Sequence, residues 1–233
     1  MSSLPKDVGS VGFILASASP ARARTLQSAG IEPKIAPADV DEDAGLTTGR
    51  KYAASRAESF GPVEQVNLLA RIKAEASLAT GRKYTTNRPY VLLGCDSMLE
   101  LDGRMLGKPH DAVTAFHRIQ EMRGRDGVLW TGHHLILAVA DSEGKLHAEQ
   151  AVGGAEPTTV HFGHISDEEI RAYVATGEPL EVAGSFTIDG LGGPFLRGVT
   201  GDPHSVVGVS LPLVRDLASR MGVFWPSLWN KLP

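Results

Sequence analysis

Short apolar runs alternating with capped helical segments predict an α/β fold, with a mixed central sheet flanked by helices. Three observations carry that prediction. Val91-Leu92-Leu93 is an unbroken apolar run of the kind that fills a strand covered on both faces. Helix-start signals recur between such runs, at Ser19-Pro20, at Asp111 and at Ser166-Asp-Glu-Glu169. No segment repeats along the chain, so a solenoid or propeller is not expected.

The bulk properties narrow the function classes. With 233 residues, 42% hydrophobic and 21% charged, the chain has globular composition and is expected to form a single domain over residues 1–233. A net charge of -4 offers no basic face to a nucleic-acid backbone, so polymeric nucleic acid is not an expected partner. No run of about 18 apolar residues is present, and the apolar stretch near the N-terminus reads as a strand, not as a signal peptide. Cys95 is the only cysteine and fits a reducing, cytoplasmic compartment. Its aliphatic neighbours predict a buried structural thiol.

Residues 12–16 read as the first strand, running into Ser17-Ala18-Ser19-Pro20. Ser19 is a natural N-cap, Pro20 suits the first helical position and Gly30 is a stop, which predicts a helix over 20–29. Free backbone N–H groups at that start, with Ser17, Ser19 and Arg22, suit an anionic group such as phosphate. The alternative is an ordinary capped helix with solvated arginines. Residues 32–40 read as extended and end in Asp39, Asp41, Glu42 and Asp43. These acids form either a solvated loop or a set containing one inward ligand, Asp41 or Glu42, for magnesium or manganese. Residues 43–61, rich in Gly, Ser, Thr and Ala, read as a mobile connection.

A helix over 62–79 is expected to bury Val66, Leu69, Ile72 and Ala76. Lys73 falls on or beside that stripe, where a charge usually has a partner or serves a bound phosphate. Asp96 stands at the exit of the strand begun by Val91, where open α/β sheets place their ligands. Asp102-Gly103 is a hairpin turn that pairs 98–101 with 104–106 and returns Gly107-Lys108-Pro109 towards Asp96. The string from Gly103 to Lys108 imitates a phosphate-binding P-loop. It is one residue short between its glycines, and Pro109 stands where Ser or Thr should be.

Asp111 caps a helix ending at Gly124, with Val113, Phe116, Ile119 and Met122 facing the sheet. Residues 128–140 read as one strand or as two broken at Gly132; 145–152 and 158–162 read as further strands. The pairs His133/His134 and His161/His164 have the wrong spacing on a strand to chelate one zinc ion. Ser166 opens a helix to about residue 176. Asp189-Gly-Leu-Gly-Gly193-Pro194 is a loop whose glycines permit close contact with a ligand, and a last helix is expected over 212–221.

Taken together, Leu15-Ala-Ser-Ala-Ser-Pro20 with Arg22, Gly94-Cys-Asp96-Ser97, Gly107-Lys-Pro109, Thr131-Gly132, Gly184-Ser-Phe-Thr-Ile-Asp189-Gly190 and Ser205-Val-Val-Gly208 resemble the Maf family of nucleoside triphosphate pyrophosphatases. That resemblance implies a relative of the inosine-triphosphate pyrophosphatase fold, with two lobes around a central cleft. It implies a divalent metal, hydrolysis of nucleoside triphosphates to monophosphate and pyrophosphate, a homodimer, and a link to septum formation. Carried onto this chain, it makes Asp96 the proton acceptor or a metal ligand, Asp41 a metal ligand, and Lys73 and Lys108 active-site lysines. Ser17, Ser19, Arg22, Ser97 and Asp189 are expected to bind substrate. Three positions depart from members specific for thymidine and uridine triphosphates. Ala21 replaces an arginine, Ser97 a threonine and Asp189 a glutamine, so base preference stays open. The alternative is a nucleotide-binding regulator of cell division with little hydrolysis.

Overall fold

The computed structural model describes residues 4–231, and within them one sheet holds every strand, in the order β2-β1-β3-β5-β6-β7, with β4 paired to β3. The strands are β1 (Gly12–Leu15), β2 (Lys34–Ile35), β3 (Tyr90–Leu101), β4 (Arg104–Leu106), β5 (Asp126–Ala140), β6 (Leu146–Phe162) and β7 (Leu196–Thr200). β1 runs parallel to β2 and β3, whereas β4 and β7 are antiparallel to β3 and β6. The mixed sheet agrees with the expectation.

Seven α-helices accompany it among the described residues: α1 (Pro20–Ser28), α2 (Glu42–Ser55), α3 (Pro62–Leu78), α4 (Ala112–Met122), α5 (Asp167–Ala175), α6 (Pro203–Val207) and α7 (Leu211–Arg220). The chain divides into two compact units. The first comprises the chain through Asp96, the segment Gly132–Ala155, and everything from Leu211; the second comprises Ser97–Thr131 and Glu156–Ser210. The first unit's core includes Ile14, Ala74, Tyr90, Leu92 and Ile136. The second gathers Leu99, Met122, Val160, Phe162, Tyr173 and Phe186.

The caps form as their sequences dictate. Ser19, Asp111 and Ser166 accept from Arg22 N, Thr114 N and Glu169 N, and the Glu169 carboxylate returns to Ser166 N. Asp102 and Gly103 adopt φ of 52° and 73°, the left-handed pair that a two-residue hairpin needs, and β3 and β4 pair around them.

Four expectations are corrected. Residues 43–61 are not a mobile connection, because most of them form α2, capped by Asp41. Their glycines are packing positions. A Cβ on Gly45 would lie 2.9 Å from Ile72 Cδ1, and one on Gly49 would lie 2.5 Å from Leu68 Cδ2, so α2 lies close against α3. On α3 the fully buried apolar residues are Val66, Leu69, Ala70 and Ala74, while Ile72 and Ala76 are only partly covered. Val113 faces solvent, and Ala115 takes the buried place on α4. β5 continues through Gly132 and β6 through Gly153 and Pro157 without a break.

Candidate active site

The first unit holds a buried ionic centre whose geometry follows from two close approaches. A Cβ on Gly94 would stand 2.2 Å from the Ala70 carbonyl, and one on Gly132 would stand 2.2 Å from the Val66 carbonyl. Only glycine lets α3 lie this near β3 and β5. Alternate residues of a strand share a face, so Asp96, two after Gly94, faces the same helix. Lys73 sits on that helix between Ala70 and Ala74, and its Nζ makes a short contact with Asp96 Oδ1. The lysine also reaches Glu42 Oε1 at 2.8 Å. Glu42 occupies the first position of α2, so the packing of α2 on α3 delivers it.

The two carboxylates differ in setting. Asp96 is nearly fully buried, whereas the Glu42 side chain is 49% exposed. Burial pushes the Asp96 carboxyl above its ordinary value. Lys73 opposes that shift, Glu42 reinforces it, and Arg22 opposes it from farther off. Cys95, on the opposite face of β3, is fully buried, and desolvation raises its thiol to about 12. That is an inert thiol, as its aliphatic neighbours predict.

The strand-turn-helix at Ser17 to Arg22 belongs to the same unit. Arg22 Nη1 donates to Ser17 Oγ at 3.1 Å, Ser19 N donates to the same oxygen at 3.2 Å, and Arg22 N donates to Ser19 Oγ at 3.4 Å. Hydroxyls, a guanidinium and the start of α1 are thus gathered at the end of β1, an arrangement suited to an anion. Asp41 plays a local part: its Oδ1 accepts from Ala44 N at 2.9 Å and starts α2. The acid that touches Lys73 is therefore Glu42. The sequence offers both, and which one turns inward depends on where the helix begins.

Ser97, Lys108 and Asp189 lie in the second unit. Thr131 donates to the Ser205 carbonyl at 2.9 Å, so the Ser97 hydroxyl, 3.0 Å from Thr131 Oγ1, is the donor of that pair. Lys108 is half exposed and lies 3.8 Å from Glu181 Oε2. Asp189 is exposed near the tip of a loop. Sequence reasoning passed over Glu178, which anchors that loop. Its place just after a helix, in Gly177-Glu178-Pro179, looks like an ordinary solvated charge.

Among the described residues, no group of three or more His, Cys, Asp or Glu side chains is gathered to hold a metal, and no helix is long and apolar enough to cross a membrane. Glu42 and Asp96, converging on one ammonium, are nonetheless a donor set of the kind magnesium uses when phosphate oxygens and water complete its shell.

A family model described as Maf-like protein matches residues 12–221. A nucleoside triphosphate pyrophosphatase of Salinispora tropica is 48% identical over 219 residues, covering 94% of this chain and 88% of its own. Proteins of the same name from Cutibacterium acnes and Leifsonia xyli are 44% and 46% identical, covering 94% and 93% of this chain and 94% and 96% of their own.

Proposed function

Because the chain belongs to the Maf-like protein family, we propose that it hydrolyses nucleoside triphosphates to the monophosphate and pyrophosphate. The observation that carries this reading is the buried Asp96 carboxylate held by Lys73 beside Glu42. A carboxyl raised by burial is a better proton acceptor than an ordinary aspartate, as a base that must activate water requires. Asp96 takes a proton from a water that attacks the α-phosphorus; the bond to the bridging oxygen breaks, and pyrophosphate leaves with the electron pair. Ser17, Ser19, Arg22 and the N-terminus of α1 bind phosphate oxygens, and Lys73 offsets their charge. Ser97, Lys108 and Asp189 are assigned to nucleotide binding on the strength of the family resemblance.

Glu42 and Asp96 are the residues assigned to a divalent cation, with Asp41 occupied at the helix cap. Bound there, magnesium or manganese would neutralise phosphate charge and acidify the attacking water. By the same family reasoning, the protein is assigned to the cytoplasm as a homodimer.

The test is a panel of nucleoside triphosphates, common and modified, given to the purified protein with magnesium or manganese and assayed for pyrophosphate and orthophosphate separately. Pyrophosphate with monophosphate is the expected outcome. Orthophosphate alone, or nucleotide bound without turnover, would falsify the reaction and favour a regulatory role.

A further inference from the structure

Within the second unit, one carboxylate is built into the base of the loop that carries Asp189. Glu178 opens a short 3-10 turn after Gly177. Its Oε1 accepts from Tyr173 Oη at 3.1 Å, from Gly192 N at 3.1 Å and, in a short contact, from Thr187 Oγ1. Its Oε2 accepts from Leu191 N at 3.1 Å. Two of the four donors are side-chain hydroxyls and two are backbone N–H groups of the loop, and they bracket residues 187–192 at both ends.

The glycines make this closure possible. A Cβ on Gly190 would fall 2.7 Å from both Glu178 Oε2 and Thr187 Oγ1, and one on Gly192 would fall 2.6 Å from Tyr173 Oη. Gly192 is buried and Thr187 half-buried, whereas Asp189, Gly190 and Leu191 form an exposed tip. A tip held by a closed base is preorganised, and preorganisation favours discrimination between ligands. Burial draws the Glu178 carboxyl upward, but the hydrogen bonds from Thr187, Leu191, Gly192 and Tyr173 outweigh it and hold the group below its ordinary value, so it is ionised at neutral pH.

We propose that Glu178 is a positioning residue for nucleobase discrimination, fixing loop 187–192 so that Asp189 is presented in one conformation. The inference rests on the pyrophosphatase reading and on the nucleotide-binding assignment of Asp189. Glu178 itself acts through the loop. Glutamine at this position keeps the size but supplies only one accepting oxygen, so one side of the bracket opens.

The experiment measures kcat and KM of the wild type, E178Q, D189A and the double variant across the same nucleoside triphosphates. The spread in kcat/KM between the best and worst base is expected to narrow about tenfold in E178Q, through KM for the preferred base, as loss of a charge-assisted hydrogen bond implies. Turnover at saturation is expected to stay within about threefold of wild type, because no group at Asp96 is altered. The double variant is expected to discriminate no less than D189A alone, since Glu178 works through that residue. Thr187→Val, which removes one donor and keeps the shape, is expected to narrow the spread less and serves if E178Q does not fold. A folded E178Q or T187V with wild-type discrimination overturns the proposal, as does additivity in the double variant. A wild type that cleaves every base equally overturns it while leaving the pyrophosphatase reading intact. A wild type that releases no pyrophosphate at all overturns both.

Discussion

Asp96 and Glu178 are carboxylates held by their surroundings, one in each unit, the first nearly fully buried and the second only partly covered, and the chain treats them in opposite ways. Asp96 has a charged partner, Lys73, and a second acid, Glu42, near that partner; burial prevails and its proton affinity rises. Glu178 has four neutral donors and no acid among them, and hydrogen bonding prevails over burial. Deep burial with one cationic partner raises the first carboxyl, whereas partial cover with four donors aimed at the charged form lowers the second.

The largest expected effect breaks the first member of the pair. Asp96→Asn should lower kcat by about a hundredfold or more while the protein stays folded, because asparagine cannot accept the proton; near-normal turnover in steady-state assays would remove Asp96 from the mechanism.

Next in size is a contrast between the glycines that support each carboxylate. Gly94→Ala sets a methyl 2.2 Å from the Ala70 carbonyl, which is backbone, and should cost about 3 kcal/mol in urea unfolding with loss of activity as α3 moves Lys73. Gly190→Ala meets side-chain oxygens of Glu178 and Thr187 at 2.7 Å, which can shift where backbone cannot, and should cost about 1 kcal/mol. Equal costs would mean that α3 yields as readily as the loop does.

Acid titration sharpens the comparison further. The folded Asp96 carboxyl binds its proton more tightly than the unfolded chain, whose value is near 3.8, so its contribution to stability falls as pH rises from 3.8 through the folded value. Glu178 runs the other way: its contribution is complete above the ordinary 4.5 and is lost as pH falls through the lower folded value. Unfolding midpoints from about pH 3 to about pH 8 should therefore show the wild type's advantage over E178Q growing with pH and its advantage over D96N shrinking. Parallel curves would contradict the opposed shifts. The same rise in Asp96 places the acid limb of kcat/KM above 3.8.

The smallest effect belongs to a charge that neither site depends on for its shape. Glu181 pairs with Lys108 at 3.8 Å with 70% of its side chain exposed, so Glu181→Gln should change stability by less than about 0.5 kcal/mol. A larger change in thermal unfolding would show that this pair orders the turn.

What the sequence disclosed, and what it hid, follows from how local the causes are. The caps at Ser19, Asp111 and Ser166 and the Asp102-Gly103 turn are decided within a few residues, and each formed where the pattern placed it. α2 was hidden because Gly45 and Gly49 are unfavourable in an isolated helix, and only their packing against Leu68, Leu69 and Ile72 of α3 and against Phe60 gives them a purpose. Pro157 in β6 reads as a breaker, yet β7 pairs only from Thr159 onward, so no ladder bond to β7 is lost at the proline. Asp96 and Lys73 were legible because a charge on a buried stripe demands a partner. The choice between Asp41 and Glu42 turned on helix register, and Glu178 was invisible because its donors lie 5, 9, 13 and 14 residues away or along the loop.

The placement of Cys95 has a practical consequence. Its sulfur adjoins Asp96 in the chain yet points to the other side of β3, fully covered and holding its proton to about 12. Peroxide and alkylating reagents act on exposed thiolate. Poisoning of this protein through its one thiol must therefore wait for β3 to come out of the sheet, so iodoacetamide labelling reports on unfolding and not on catalysis.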